Sequence, residues 1–239
     1  MSAAKASSSF AEAWKVLYRA RTLFAAFLIL AMILDVAVFL TVRFSGTLDP
    51  LIQFGRLTAP MGGFENAPGE GPSPASSASV DVSSLSKARQ REGQFRSVMF
   101  FAAVLAVVGV TFMALCAVLA VMVLVAGNLP GAGAATGSFF YAAGAALWLL
   151  LPWGQILGYG TSLPVGVPTF TQLLTAYQVT MDPSAGWDAQ IGLWVRHVVY
   201  PAVIFLLTIA YLLRTSQAQA QMSAGTVAEE LNLPRPGRP

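Results

Sequence analysis

Three ionisable residues lie within long apolar stretches of the sequence, where a charge is costly if the stretch crosses a membrane. Asp35 lies near the end of the first stretch, and Arg196 and the adjacent His197 lie near the start of the fourth. In a four-span topology these two positions approach the same side of the membrane, at depths of about 10 Å and about 8 Å by helical rise. The spacing therefore predicts an Asp35–Arg196 pair that links the first and fourth helices.

The same residues permit a second interpretation. Proton paths in membranes use acids and histidines, so Asp35 is also a candidate proton or cation site, with His197 as its candidate titrating neighbour. Arg196 could instead extend towards lipid headgroups and leave Asp35 to another partner. The structural pair and the ion site are alternatives that the sequence leaves open.

Other chemistry is sparse in this chain. A single cysteine, Cys116, excludes an internal disulfide, and a single histidine excludes a bis-histidine haem. The phosphate-binding pattern G-x-x-x-x-G-K-[ST], the nucleophile pattern G-x-S-x-G and the zinc pattern H-E-x-x-H do not occur. We therefore predict no catalytic, cofactor-binding or metal-binding residues, no cofactor and no enzymatic activity.

Composition indicates a membrane protein. Of the 239 residues, 56% are hydrophobic and only 10% are charged, whereas soluble domains carry about 25% charge. The net charge of +3 comes from basic residues spread over segment ends, one loop and the tail, a distribution typical of membrane flanks and not of nucleic-acid binding. The lipid bilayer is thus an expected partner, and nucleic acid is not.

Four apolar segments predict an all-α integral membrane protein, because unpaired backbone cannot lie in lipid. We expect the transmembrane helices at residues 23–43, 98–127, 138–157 and 191–213. Small residues predict close helix contacts: Ala102, Ala106 and Gly109 on the second helix, and Ala142, Gly144 and Ala146 on the third. Pro152 and Pro201 predict kinks in the third and fourth helices.

The remaining residues form extramembrane parts. Residues 1–22, with the capping box Ser9–Glu12, predict a short amphipathic helix at the interface or an extension of the first span. Residues 44–97 predict a long, flexible Gly/Pro/Ser-rich loop whose charged end continues into the second helix. Residues 158–190 predict a loop with an amphipathic helix at about 169–181, and residues 214–239 a tail with a two-turn helix after Thr226.

Four spans place both termini on one side. The basic flank before the first helix favours the cytoplasmic side of an inner or plasma membrane, although the loop after that helix carries nearly as many positive residues. With so little chemistry, we expect an anchoring or accessory subunit of a larger membrane complex, with other membrane-protein subunits as partners. The alternative is a small transporter or channel that uses Asp35, Arg196 and His197.

Overall fold

The computed structural model describes residues 3–46, 48–49, 82–151, 169–180 and 186–230, and every secondary-structure element within these ranges is helical. The elements are α1 (Ala3–Ser45), α2 (Val82–Ala126), α3 (Ala132–Leu150), α4 (Phe170–Thr180), α5 (Trp187–Trp194), a π-helical turn (Val195–Val199) and α6 (Tyr200–Glu230). α5, the π-helical turn and α6 follow one another without a break.

Four helices are long and apolar enough to cross a membrane, and together they are consistent with a multi-pass integral membrane protein. The qualifying segments are Glu12–Ser45, Leu85–Ala126, Ala132–Leu150 and Gln190–Ala224. Large apolar side chains such as Phe100, Phe112 and Leu206 lie exposed on the outside of the bundle. In water such a surface would drive association, whereas lipid tails solvate it without cost.

α1 is a single helix of 43 residues, about 65 Å long, which is twice the hydrocarbon thickness. Residues 3–22 therefore continue the first span as one unbroken helix, in agreement with the extension and not with a separate interfacial helix. Ser9 and Glu12 lie inside this helix, so they do not begin it.

α2 also extends beyond the predicted span. It begins at Val82, so residues 82–97 of the expected loop are helical and only the part before them connects α1 to α2. The predicted continuation of the charged segment into the second helix is confirmed. Residues 50–81, which hold most of the Gly/Pro/Ser-rich loop, lie outside the described residues.

The fourth span contains a π-helical turn that ends two residues before Pro201. Proline has no backbone N–H, so the carbonyl four residues earlier, that of His197, loses its usual donor, and a wider turn accommodates the defect. α6 then continues to Glu230, so most of the predicted tail is an extension of the span and Thr226 does not begin a helix. Pro152 and residues 231–239 lie outside the described residues.

Three apolar clusters hold the bundle together along its length. The middle cluster contains Leu28, Val110, Leu149 and Ile204 from the four spans. At one end, Trp14 of α1 packs with Leu124, Ala135 and Met222, while at the other end Val42, Met99, Phe170 and Leu193 pack together. Because Trp14 and Met222 share a cluster, the described parts of the chain nearest the two termini lie at the same end of the bundle.

The small-residue prediction is right for α2 and partly wrong for α3. Ala102 and Ala106 are buried, and a methyl group added at Gly109 would meet the backbone of α1. On α3 the buried face contains Ala142, whereas a methyl group added at Gly144 would meet nothing within 4 Å. Gly144 lies about 200° around the helix from Ala142 at 100° per residue, so it points away from the bundle.

Candidate functional site

Asp35 occupies the buried stripe of α1. Its neighbours in this stripe follow the alternating three- and four-residue spacing of one helix face. The stripe comprises Ala25, Leu28, Met32, Asp35, Phe39 and Val42. Asp35 is 5% exposed, and neither of its carboxylate oxygens has a hydrogen-bond partner. A carboxylate thus stands where the helix pattern otherwise places apolar side chains.

The π-helical turn brings two cationic or titratable side chains into the same region. Arg196 is 8% exposed and His197 is fully buried. Consecutive residues of a regular helix point about 100° apart, and the wider turn adds one residue to the buried face. The sequence signal for this arrangement is Pro201, because it weakens the regular hydrogen-bond ladder at this point.

His197, and not Arg196, is the basic side chain nearest to Asp35. The His197 Nδ1 and Asp35 Oδ1 atoms are 3.9 Å apart, too far for a hydrogen bond but within the range of an ion pair. The imidazole stacks on the Phe39 ring, with centroids 5.4 Å apart and an interplanar angle of 12°. This stacking holds the ring beside the carboxylate.

Arg196 takes a different partner. Its Nη2 donates a hydrogen bond to Gln172 Oε1 at 2.5 Å, while its charge still interacts electrostatically with Asp35. Asp35 and Arg196, which helical rise predicts as a pair, thus turn their side chains towards different groups. The result is a cluster of Asp35, His197, Arg196 and Gln172 that joins α1, α4 and the π-helical turn.

Gln172 is the member of the cluster that sequence reasoning missed. It forms a reciprocal cap at the start of α4: Thr169 N donates to Gln172 Oε1 at 3.2 Å, and Gln172 N donates to Thr169 Oγ1 at 3.4 Å. This is the S/T-x-x-E/Q capping box, which was readable in the sequence. The predicted amphipathic helix is confirmed as α4, with Phe170, Leu173 and Tyr177 buried against the bundle.

Two tyrosines flank the cluster. Tyr200 donates its hydroxyl hydrogen bond to the Trp148 carbonyl of α3, which ties the fourth span to the third. Tyr177 of α4 donates to Asp49 Oδ1 at 3.2 Å. Burial raises the pKa of Tyr177, and the neighbouring Asp49 carboxylate raises it further, so this hydroxyl stays a donor at neutral pH.

A small cavity opens beside the carboxylate of Asp35. Its volume is about 10 Å³, and its lining is apolar apart from Asp35. The lining residues are Ala31, Met32, Asp35, Met99, Ala102, Ala103 and Ala106. This volume suits about one water molecule.

A second buried cation, Arg21, lies 14 residues before Asp35, near the middle of α1. It is 3% exposed, and its guanidinium carbon stands 3.8 Å above the centre of the Tyr18 ring. By helical rise it is about 21 Å from Asp35 along α1, so the two charges do not pair. The sequence pattern assigns Arg21 to the basic flank of the first span, because no local pattern indicates that α6 covers its side chain.

Within the described residues, no group of three or more His, Cys, Asp and Glu side chains comes together as a metal site. Cys116 is buried in α2. Comparisons with protein-family models, with curated proteins and with solved structures found no match.

Proposed function

We propose that this protein is a non-catalytic integral membrane subunit that anchors or assists a larger membrane assembly. The observation that carries the proposal is an apolar groove of about 460 Å³ on the lipid-facing side of the bundle, between α1 and the fourth span. It is lined by Met32, Ile33, Val36, Ala37, Leu40, Val198, Pro201, Ala202 and Phe205. We propose that one apolar helix of a partner membrane protein occupies it.

The shape of the groove supports a helix as occupant. Exposed Ala37 and Ala202 keep it open from the two sides, while Ile33 and Phe205 project beside them. Helices in lipid associate through close van der Waals packing over small residues, since apolar burial alone gives little advantage there. On α1 the lining residues run from Met32 to Leu40. By helical rise the groove is therefore about 12 Å long on this side.

The test is photocrosslinking from the groove in native membranes. A photoreactive residue at Ile33 should give a discrete adduct with a membrane-spanning peptide of a second protein, identified by mass spectrometry. The same residue at Val107, an exposed position on α2, is the matched control. Ala202→Trp should fill the groove and abolish the Ile33 adduct. Lipid adducts alone, or equal adducts from both positions, would contradict the proposal.

We further propose an inner or plasma membrane location with both termini in the cytoplasm. The described residues nearest the two termini lie at the same end of the bundle, where Trp14 and Met222 share a cluster, and the leading basic flank favours the cytoplasmic side. Chemical labelling of single cysteines tests this in oriented vesicles of the Cys116→Ala background. A cysteine at Ser8 and one at Gly237 should react with impermeant reagent from the same, cytoplasmic face.

A second candidate function, a small transporter or channel, is favoured by the buried Asp35, Arg196 and His197 cluster. Purified protein in liposomes would then support ion or proton flux, and Asp35→Asn would remove it. Flux from the pure protein that depends on Asp35 favours this candidate over the subunit role.

A further inference from the structure

The carboxylate of Asp35 is buried, faces a cavity and lacks a hydrogen-bond donor. Both oxygens are without a partner, and the cavity beside them has room for about one water molecule. A buried carboxylate ordinarily accepts several hydrogen bonds, because an unpartnered charge in an apolar region is costly. The arrangement therefore calls for a small cationic or hydrogen-donating ligand.

The donor set suits a proton better than a metal ion. Hard cations such as Ca²⁺ take six to eight oxygen ligands, and Mg²⁺ demands an octahedron of oxygen ligands. Asp35 is the only side chain in the cavity lining that offers oxygen, and the rest are alanines and methionines. A proton needs only one basic atom and one neighbour that can share it.

His197 is that neighbour. Both of its ring nitrogens lack a hydrogen-bond partner, and Nδ1 lies 3.9 Å from the carboxylate. A modest side-chain rotation, or a water molecule between the groups, permits proton exchange between them. The stacking on Phe39 keeps the imidazole on the same side of the carboxylate.

Among the described residues, Arg196 is the charged side chain nearest the pair, and the other polar neighbours, Tyr200 and Gln172, are neutral. Arg196 follows from the π-helical turn, and Tyr200 lies one turn beyond it on α6. From α4 the nearest polar side chain is Gln172, which holds Arg196. The α2 residues at the cavity, Met99, Ala102, Ala103 and Ala106, carry no charge.

We propose that Asp35 and His197 form a buried proton-binding site that takes up one exchangeable proton. With Asp35 ionised, His197 neutral and Arg196 charged, the cluster has no net charge. One proton taken from water binds to the imidazole or the carboxylate, and the cluster then carries a charge of +1. No bond between heavy atoms changes, and no other reactant is required. The site is independent of the proposed subunit role, since it requires no partner protein.

The single histidine of the chain makes this site directly observable. Protein labelled with ¹⁵N-histidine, purified with a histidine-free tag and placed in lipid nanodiscs, gives imidazole signals from His197 alone. We expect its ¹⁵N shifts to move in a single pH-dependent step, between neutral and protonated values or between two tautomer populations, as pH is varied over the range in which the protein stays folded. Signals that stay constant over this range would overturn the proposal.

Charge-changing variants identify the partner in the site. Asp35→Asn removes the negative neighbour of His197. The midpoint of the pH-dependent step in the ¹⁵N shifts should therefore move to lower pH, with at least a tenfold loss of proton affinity. Arg196→Gln removes a positive neighbour and should move it to higher pH. Asp49→Asn is the matched control, because that carboxylate lies at the same end of the bundle but binds Tyr177. Equal midpoints in wild type, Asp35→Asn and Arg196→Gln would refute a shared site.

Discussion

Gly109 allows the backbone of α2 to lie directly against that of α1 at Leu28. A methyl group placed on Gly109 would stand 2.9 Å from the Leu28 backbone nitrogen and 2.9 Å from the Phe24 carbonyl oxygen. Both are main-chain atoms of a helix, which cannot move aside like a flexible side chain. The contact between these two spans, the most extensive in the bundle, therefore depends on a residue without a side chain.

Gly109→Ala should destabilise the bundle by about 1–3 kcal/mol, the usual cost of overpacking a close contact. This cost exceeds the gain in helix propensity of up to about 1 kcal/mol. The measurement is the free energy of unfolding in mixtures of mild detergent and SDS. Gly144→Ala is the matched control, since its methyl group would meet nothing, and it should leave stability equal or higher. Equal changes in the unfolding free energy for the two variants would contradict the close contact between Gly109 and α1.

Gly131 sets the turn between α2 and α3 and should not tolerate a side chain. Its φ is +95°, and a methyl group would stand 2.7 Å from the Ala218 carbonyl oxygen of α6. Gly131→Ala therefore combines backbone strain with a clash, and we expect a loss of about 2–4 kcal/mol in the same assay. Gly133→Ala, two residues later with open space around it, should cause no loss. If Gly133→Ala were as harmful as Gly131→Ala, backbone strain and the clash with Ala218 would not account for the loss.

The sequence was sufficient to predict the four apolar helices, the amphipathic α4 and the α2 seam, because each follows from local periodicity and length. Helical rise is nearly constant, so the sequence also predicts that Asp35 and Arg196 approach the same side of the membrane. It was insufficient for the start of α1 and the end of α6. Capping boxes at Ser9 and Thr226 resemble helix starts, but the helices continue through them because packing at Trp14 and Met222 stabilises the extensions.

The partners inside the cluster were beyond sequence reasoning for a different reason. Which of Arg196 and His197 faces Asp35 depends on the rotation of the fourth span, and the π-helical turn changes that rotation within five residues. Likewise, Gln172 reaches Arg196 only because α4 folds back against the bundle. These are long-range placements that no local pattern encodes.

Removal of the Gln172 side chain should weaken both the start of α4 and the support of Arg196. Gln172→Ala loses the capping box, which is worth about 1 kcal/mol, and leaves a buried guanidinium with one partner fewer. We expect faster amide hydrogen exchange across α4 and an unfolding free energy lower by about 1–3 kcal/mol. Thr169→Ala breaks the same box without touching Arg196, so it should cost less. If Thr169→Ala lowers the unfolding free energy as much as Gln172→Ala does, the hydrogen bond between Arg196 and Gln172 does not contribute to stability.

The guanidinium of Arg21 should be stabilised by the Tyr18 ring below it. A cation over an aromatic face in a desolvated position is worth about 2 kcal/mol. Tyr18→Leu should therefore lower the unfolding free energy markedly in wild type but much less in an Arg21→Met background. Arg19→Met, which changes an exposed arginine two residues earlier, should leave the effect of Tyr18→Leu unchanged. Strict additivity of Tyr18→Leu and Arg21→Met would contradict the interaction.

Double-mutant cycles at the buried cluster should rank its contacts. Asp35→Asn, His197→Gln and their combination measure one coupling, and Asp35→Asn with Arg196→Gln measures the other. Asp35 lies 3.9 Å from His197, whereas Arg196 is bound to Gln172. At a pH where the imidazole is charged, we therefore expect about 1–3 kcal/mol of coupling between Asp35 and His197, and less between Asp35 and Arg196.

The pH dependence of these two couplings distinguishes the Asp35–His197 contact of the structure from the Asp35–Arg196 pair predicted by helical rise. The Asp35–His197 coupling should decrease as pH rises and the imidazole loses its proton, because an ion pair then becomes a contact with a neutral ring. The Asp35–Arg196 coupling should persist, since arginine keeps its charge. A dominant, pH-independent coupling to Arg196 would show that the direct Asp35–Arg196 pair, and not the contact with His197, joins the first and fourth spans.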